Sequence, residues 1–204
     1  AWHCGEHTAN QNLSGVTWYW NYQKTSCQPS NNGVNPPKGN ETMINGTVRA
    51  TSGSGTLNNP PGNNQVAGSD FTLVELNSNI PNSYSAYYAG WDRSNSSASS
   101  GVSIHHPAGS AKKISTFISS LSNATYNGGA YNAHWAVNWS ATTNGHGVTE
   151  GGSSGSPIFN QSKRIVGQLS GGSSTCNFPN YSDLYGKMSE NWTSNGTSNG
   201  AQLA

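Results

Sequence analysis

The chain has 204 residues; Gly, Ser, Asn and Thr make up 100 of them, while Leu, Ile, Val and Phe together number 28. Net charge is +1 and charged residues are 8% of the total, so the high-charge half of the disorder signature is missing and no basic face points to nucleic acid. No apolar run reaches the roughly 20 residues of a membrane-spanning helix, and seven Trp, nine Tyr and four Phe supply the surface that one domain, or two small lobes, would bury.

In chain order, the sequence opens at Ala1 without a Met or a signal-like segment, so a processed or truncated N-terminus is expected. The three cysteines, Cys4, Cys27 and Cys176, cannot all pair with one another. The polar, Asn- and Ser-rich composition reads as secreted, where disulfides persist. Val16 to Tyr22 alternates, with Val16, Trp18, Trp20 and Tyr22 on one face, and predicts a half-buried strand. Residues 51–69, rich in Gly, Ser and Asn, predict a long surface loop. Phe71 to Leu76 is apolar on both faces apart from Glu75 and predicts a more central strand. Further strands are expected at 101–105, 114–118, 131–139, 157–159 and 164–169, between breakers such as Asn35-Pro36-Pro37, Gly128-Gly129 and Gly171-Gly172. From about Ser189 the sequence is low in complexity and reads as a linker or tail. Many short strands with Gly/Pro punctuation predict an all-β sandwich or antiparallel barrels.

One motif stands out: Thr149-Glu150-Gly151-Gly152-Ser153-Ser154-Gly155-Ser156-Pro157, leading into Ile158-Phe159. A serine on a tight turn before a strand can present its hydroxyl to a cleft. The same turn can aim the N–H groups of Gly152 and Ser154 at one spot. A chain this rich in Ser and Gly also produces such a run by chance. A nucleophilic serine needs a base and an orienting carboxylate. Only three Asp are available: Asp70, before an apolar strand; Asp92, beside Arg93 in a turn; and Asp183. His3 stands next to Cys4. Together with Glu6 and His7 it could instead contribute to a zinc site, but no comparable second ligand cluster follows, so no metal or cofactor is expected. His105 and His106 read as structural, His134 and His146 as exposed or hydrogen-bonded polar residues, and Glu150 as a turn acid.

Ala1-x-His3-Cys4, the strand start Asp70-Phe71-Thr72-Leu73 and Gly152-x-Ser154-Gly155-x-Pro157 resemble chymotrypsin-fold serine proteases. More closely, the chain resembles the bacterial lysyl endopeptidases. The shared segments include Val16 to Gln23, Ala89 to Arg93, Ile104 to Pro107, Gly147 to Glu150, Arg164 to Leu169 and Ser182 to Gly186, spread from residue 1 to about 193.

The resemblance implies two antiparallel six-stranded β-barrels. The first, residues 1–90, carries His and Asp and is expected to be truncated at its N-terminus; the second, 91–190, carries Ser and the specificity pocket; 191–204 is tail. It makes His3 the general base, Asp70 its orienter, Ser154 the nucleophile and the Gly152 and Ser154 N–H groups the oxyanion hole. Asp183 becomes the acid of a lysine pocket, with Gly171 and Gly172 at its mouth. Ser170 and Tyr126 replace a histidine and a tryptophan of the family, so looser lysine discrimination is expected. In the family, cysteines at the positions of Cys4, Cys27 and Cys176 pair with partners nearer the N-terminus, so the resemblance implies that all three are orphaned in this sequence. The expected partners are polypeptide substrates of a secreted monomer, with no nucleic acid and no membrane. The rival reading is a non-catalytic β-domain, an adhesin or sugar-binding module, which has no need of that ordered set of residues.

Overall fold

The computed structural model describes residues 10–26, 36–37, 39–52, 68–127, 130–193 and 203. His3, Cys4, Cys27 and most of the 51–69 loop lie outside them. The described strands are β1 Thr17–Tyr19, β2 Thr42–Ile44, β3 Thr47–Thr51, β4 Thr72–Glu75, β5 Gly101–His105, β6 Lys113–Phe117, β7 Ser122–Ala124, β8 His134–Val137, β9 Ala141–Thr142, β10 Gly145–His146, β11 Pro157–Asn160, β12 Ile165–Gly172 and β13 Asp183–Lys187. One helix, α1 Met188–Thr193, follows. The all-β class is therefore correct.

The halves of the chain pair separately. β1 pairs with β2 and β3 with β4, each as a two-stranded antiparallel sheet. Alternation in β1 and its flanks is as expected: Val16, Trp18, Trp20 and Tyr22 are half-buried and the residues between them exposed. β4 departs from expectation. Among the described residues it pairs on one side only, and Leu73 is 45% exposed. An apolar sequence on both faces records which residues could be covered, not what covers them.

Seven strands of the second half form one sheet in the order β6-β5-β11-β12-β13-β8-β7, in which every pairing is antiparallel, and β9 pairs with β10 in a separate two-stranded sheet. Asn and Gly supply the tight connections. Asn45 (φ +65°) turns β2 into β3, and Thr143-Asn144 turns β9 into β10, which opens on Gly145 at φ +107°. The sheet curls until Ser140, just past β8, donates its N–H to Thr116 O of β6 at 2.8 Å. Among the described residues this sheet stays open, because β6 and β7, its outer strands, do not pair. Inside the curl lies the core, in which Trp139 meets Phe117 and Tyr185 edge-on amid Leu121, Trp135, Ile158 and Leu169. Rings thus fill the volume that scarce aliphatic residues leave, as the composition suggested.

Residues 188–193, read from composition as the start of a tail, are helical. Asn191 is 2% exposed. Helices this short are marginal alone, and this one is held by tertiary bonds: Ser69 Oγ donates to Asn191 Oδ1 (2.6 Å), Asn191 Nδ2 donates to Gln168 Oε1 (2.7 Å), and Gln168 Nε2 donates to Ser69 O (2.8 Å). This closed triangle ties β12 and α1 to the turn before β4, joining the two halves.

Candidate active site

The loop between β10 and β11 carries Ser154. Its peptides are pinned one after another. Gly151 O accepts from Ala108 N (2.7 Å), Ser153 N donates to Glu150 O (2.9 Å), and Ser153 O accepts from Ser156 N (3.0 Å). In a trans peptide the C=O and N–H point opposite ways. Fixing the Gly151 and Ser153 carbonyls therefore fixes the directions of the Gly152 and Ser154 N–H groups. Gly152 sits at φ +94°, a conformation that favours glycine, and a Cβ there would crowd His106 O and Gly109 N. Gly155 N→Leu169 O (2.8 Å) and Leu169 N→Ser156 O (2.9 Å) then seat the end of the loop on β12.

Ser154 is half-buried and lines a cleft of about 600 Å³ together with Tyr126, Ser170, Gly171, Gly172, Thr149 and Ser174. Four of the residues singled out for substrate contact therefore surround one space. Asp183 does not line it. Its carboxylate, 1% exposed, sits one layer behind, where Oδ2 accepts from Trp139 Nε1 (2.6 Å), Thr149 Oγ1 (2.7 Å) and Ser174 Oγ (2.5 Å), and Oδ1 from Ser174 N (3.0 Å). All four donors are neutral. A Cβ at Gly172 would collide with Asp183 Oδ1, and one at Gly171 with the Tyr126 hydroxyl, so both glycines are required by close approach.

Asp70, 1% exposed, adopts φ +55°, which Asp tolerates better than most residues. Gln168 Nε2 lies 3.3 Å from its carbonyl oxygen. Its charge reaches the far wall of the cleft. Burial, with the Asp70 charge adding to it, pushes the Tyr126 hydroxyl above its usual range. Burial pulls the His134 imidazole down to about 4, with Asp70 opposing and Lys187 reinforcing.

His134, read in the sequence as an exposed or hydrogen-bonded polar residue, is bonded to a residue of the cleft wall. It is fully buried; its ring lies 5.7 Å from that of Tyr126, and its Nε2 is 3.0 Å from Ser170 Oγ. Ser170 faces it because β12 carries a bulge. Leu169 pairs with Tyr185 and Gly171 with the next residue, Leu184, leaving Ser170 as the extra one. The Thr149, Ser174 and Trp139 donors to Asp183 were missed as site residues, since nothing in their spacing links them. Cys176 is exposed, 3.6 Å from Glu150 Oε1, and partial burial together with the Glu150 charge raises its thiol pKa.

The family model of the lysyl endopeptidase C-terminal domain matches residues 1–186. This chain belongs to that family. The lysyl endopeptidase of Pseudomonas aeruginosa is 30% identical over 199 residues, covering 92% of this chain and 37% of its own length. The chain thus spans little more than a third of that relative. Among solved structures, the Rv3671c protease in an inactive form aligns with a TM-score of 0.45 at 10% identity, over 75% of this chain and 65% of its own. A second inactive-form structure of Rv3671c, from M. tuberculosis H37Rv, gives 0.42 at 10% identity, over 74% and 66%. The lysyl endopeptidase match contains Asp70, Tyr126, Ser154, Ser170 and Asp183, whereas α1 lies beyond it.

Proposed function

We propose that this chain is the catalytic part of a secreted serine endopeptidase that cuts polypeptides after lysine. One observation carries the reading. Half-buried Ser154 opens onto a cleft whose far wall, Ser170 to Gly172, backs onto a buried carboxylate held by neutral donors alone. In this mechanism Ser154 Oγ attacks the scissile carbonyl while the His3 imidazole takes its proton, and Asp70 orients that imidazole. The oxyanion of the tetrahedral intermediate accepts from the Gly152 and Ser154 N–H groups, whose directions are set before substrate arrives. His3 then passes the proton to the leaving amine, and water hydrolyses the acyl-enzyme by the same steps.

A substrate lysine reaching between Thr149 and Ser174 would bring its ammonium up to the Asp183 network. A compact ammonium with three donors suits hydroxyls and a carboxylate converging at close range, whereas a planar guanidinium needs a wider slot. An apolar side chain leaves the buried charge without a cation, at several kcal/mol, or roughly 10²–10³-fold in rate.

The test is reaction of the protein with a fluorophosphonate probe, followed by kinetics on matched Lys, Arg, Glu and Leu peptides. Ser154→Ala should abolish labelling. Lys peptides should exceed Leu peptides by at least about 10²-fold in kcat/KM, and Asp183→Asn should erase the gap. Activity should rise with pH through roughly 6–7 as a histidine base loses its proton. A protein that never labels is the non-catalytic β-domain of the rival reading. Equal turnover of Lys and Leu peptides removes Asp183 from the pocket.

A further inference from the structure

We infer that His105 is a positioning residue for catalysis: it ties the side chain of Ser153 to β6 and thereby holds the oxyanion loop that carries Ser154. This inference rests on the serine-protease reading and adds a residue to it.

The bonding can be followed atom by atom. His105, at the end of β5, is 2% exposed, and each ring nitrogen meets a serine that is 1% exposed: Nδ1 lies 2.9 Å from Ser153 Oγ and Nε2 2.9 Å from Ser115 Oγ. Ser115 Oγ in turn donates to Val148 O at 3.1 Å. A hydroxyl has one proton, so Ser115 must accept from His105, and Nε2 carries the ring hydrogen. Nδ1 is then an acceptor, and Ser153 Oγ–H donates to it. The Ser153 oxygen is left free to accept from Glu150 N, 3.4 Å away. The result is one directed chain, Ser153 to His105 to Ser115 to the Val148 carbonyl, with every hydrogen used.

Ser153 is the hinge of the loop. Its N–H and C=O make two of the three bonds that pin the peptides on either side of the proposed nucleophile. Its side chain points inward to His105 while the next residue, Ser154, opens onto the cleft. Without the imidazole, the loop would keep its turns but lose the anchor that sets its depth. The Gly152 and Ser154 N–H groups would then drift from the site of the developing oxyanion. Displacements of about 1 Å there are worth as much as 10²-fold in rate.

The direction of the chain depends on charge. Protonating Nδ1 would turn it into a donor and leave the Ser153 hydroxyl proton without its acceptor. Burial is the main reason the imidazole stays neutral, with its pKa pulled down to about 4; His106 and Lys113 push the same way and Asp183 opposes them.

The experiment compares His105→Phe, His105→Asn, Ser153→Ala and the Phe/Ala double variant with the wild-type protein. It reads fluorophosphonate labelling rate, kcat and KM on a lysyl peptide, and thermal melting. His105→Phe and Ser153→Ala should each lower kcat and labelling about 10–10²-fold with KM within about threefold. The double variant should be no more than about threefold worse than the poorer single one, because both break the same link. His105→Asn, whose amide oxygen can replace Nδ1, should recover much of the loss. If His105→Phe does not fold, Ser153→Ala, which deletes one hydroxyl, decides alone. Folded variants that label and turn over within threefold of wild type would overturn the inference and leave the serine reading standing. A wild-type protein that does not label overturns both.

Discussion

At the scale of single residues, the site is built from polar side chains whose partners are themselves buried. Asp183 draws on the ring nitrogen of Trp139, just past β8, a threonine before the nucleophile loop, and both the hydroxyl and the N–H of Ser174. The carboxylate is thus fixed before any cation arrives, and it has no room to retreat from a new atom at Gly172. Gly172→Ala should therefore lower kcat/KM for lysyl peptides by at least about 10²-fold. The fluorophosphonate labelling rate, which does not use the pocket, should stay within about threefold of wild type. Equal losses in both readouts would mean that the whole loop had moved and would refute this account of Gly172. If Asp70 orients the base as proposed, Asp70→Asn should cost about 10⁴-fold in kcat, by removing control of the imidazole tautomer.

At the scale of elements, β12 does most of the positioning. Its bulge turns Ser170 toward His134, its glycines accept the close approach of Asp183 and Tyr126, and its Gln168 reaches back to Ser69 and Asp70. The α1 segment completes the link through Asn191. Breaking the triangle strands buried polar groups, at about 1–3 kcal/mol. Asn191→Ala should accordingly lower Tm by roughly 2–10 °C for a domain of this size. Gln168→Ala should act on the same triangle, so the two losses should fall short of additive by at least about 0.5 kcal/mol. Full additivity in a denaturation cycle would show that the three side chains do not act as a unit.

At the scale of the whole molecule, the two buried histidines make stability depend on pH. Both His105 and His134 have folded-state pKa values near 4, against 6.5 for the ordinary group. Between those values the unfolded chain takes up protons that the folded chain refuses. Stability is therefore complete above about pH 6.5, falls as the pH drops toward 4 and levels off below, by on the order of 3 kcal/mol for each histidine. Asp92, whose pKa is lowered first by the Ser94 N–H, acts in a different window: its contribution is present above 3.8 and is lost as the pH falls through its depressed folded value. Urea midpoints at pH 7.5, 5.5 and 4 give the measurement. A midpoint that stayed flat from 7.5 to 4 would rule out neutral burial of the two rings.

What could be read in advance followed from local pattern. Alternation at Val16 to Tyr22 and the runs at 101–105, 114–118, 157–159 and 164–169 identified strands, because side-chain direction in a strand repeats every two residues. The rarity of Asp, with the Gly152 to Pro157 run, singled out Asp70 and Ser154, and the family resemblance then pointed to Asp183. The same pattern misjudged β4 and α1. Leu73 is apolar yet exposed, and Asn191 is polar yet buried. Periodicity reports which way a residue points and is silent about what stands opposite. The deciding contacts are remote in sequence: Ser69 with Asn191 across 122 positions, Asp183 with Trp139 across 44, and His105 with Ser153 across 48. A hydrogen bond forms between whichever donor and acceptor the packed strands bring together. Sequence by itself therefore determined the all-β class and the residue types of the chemistry, while tertiary packing decided which of them bond to one another.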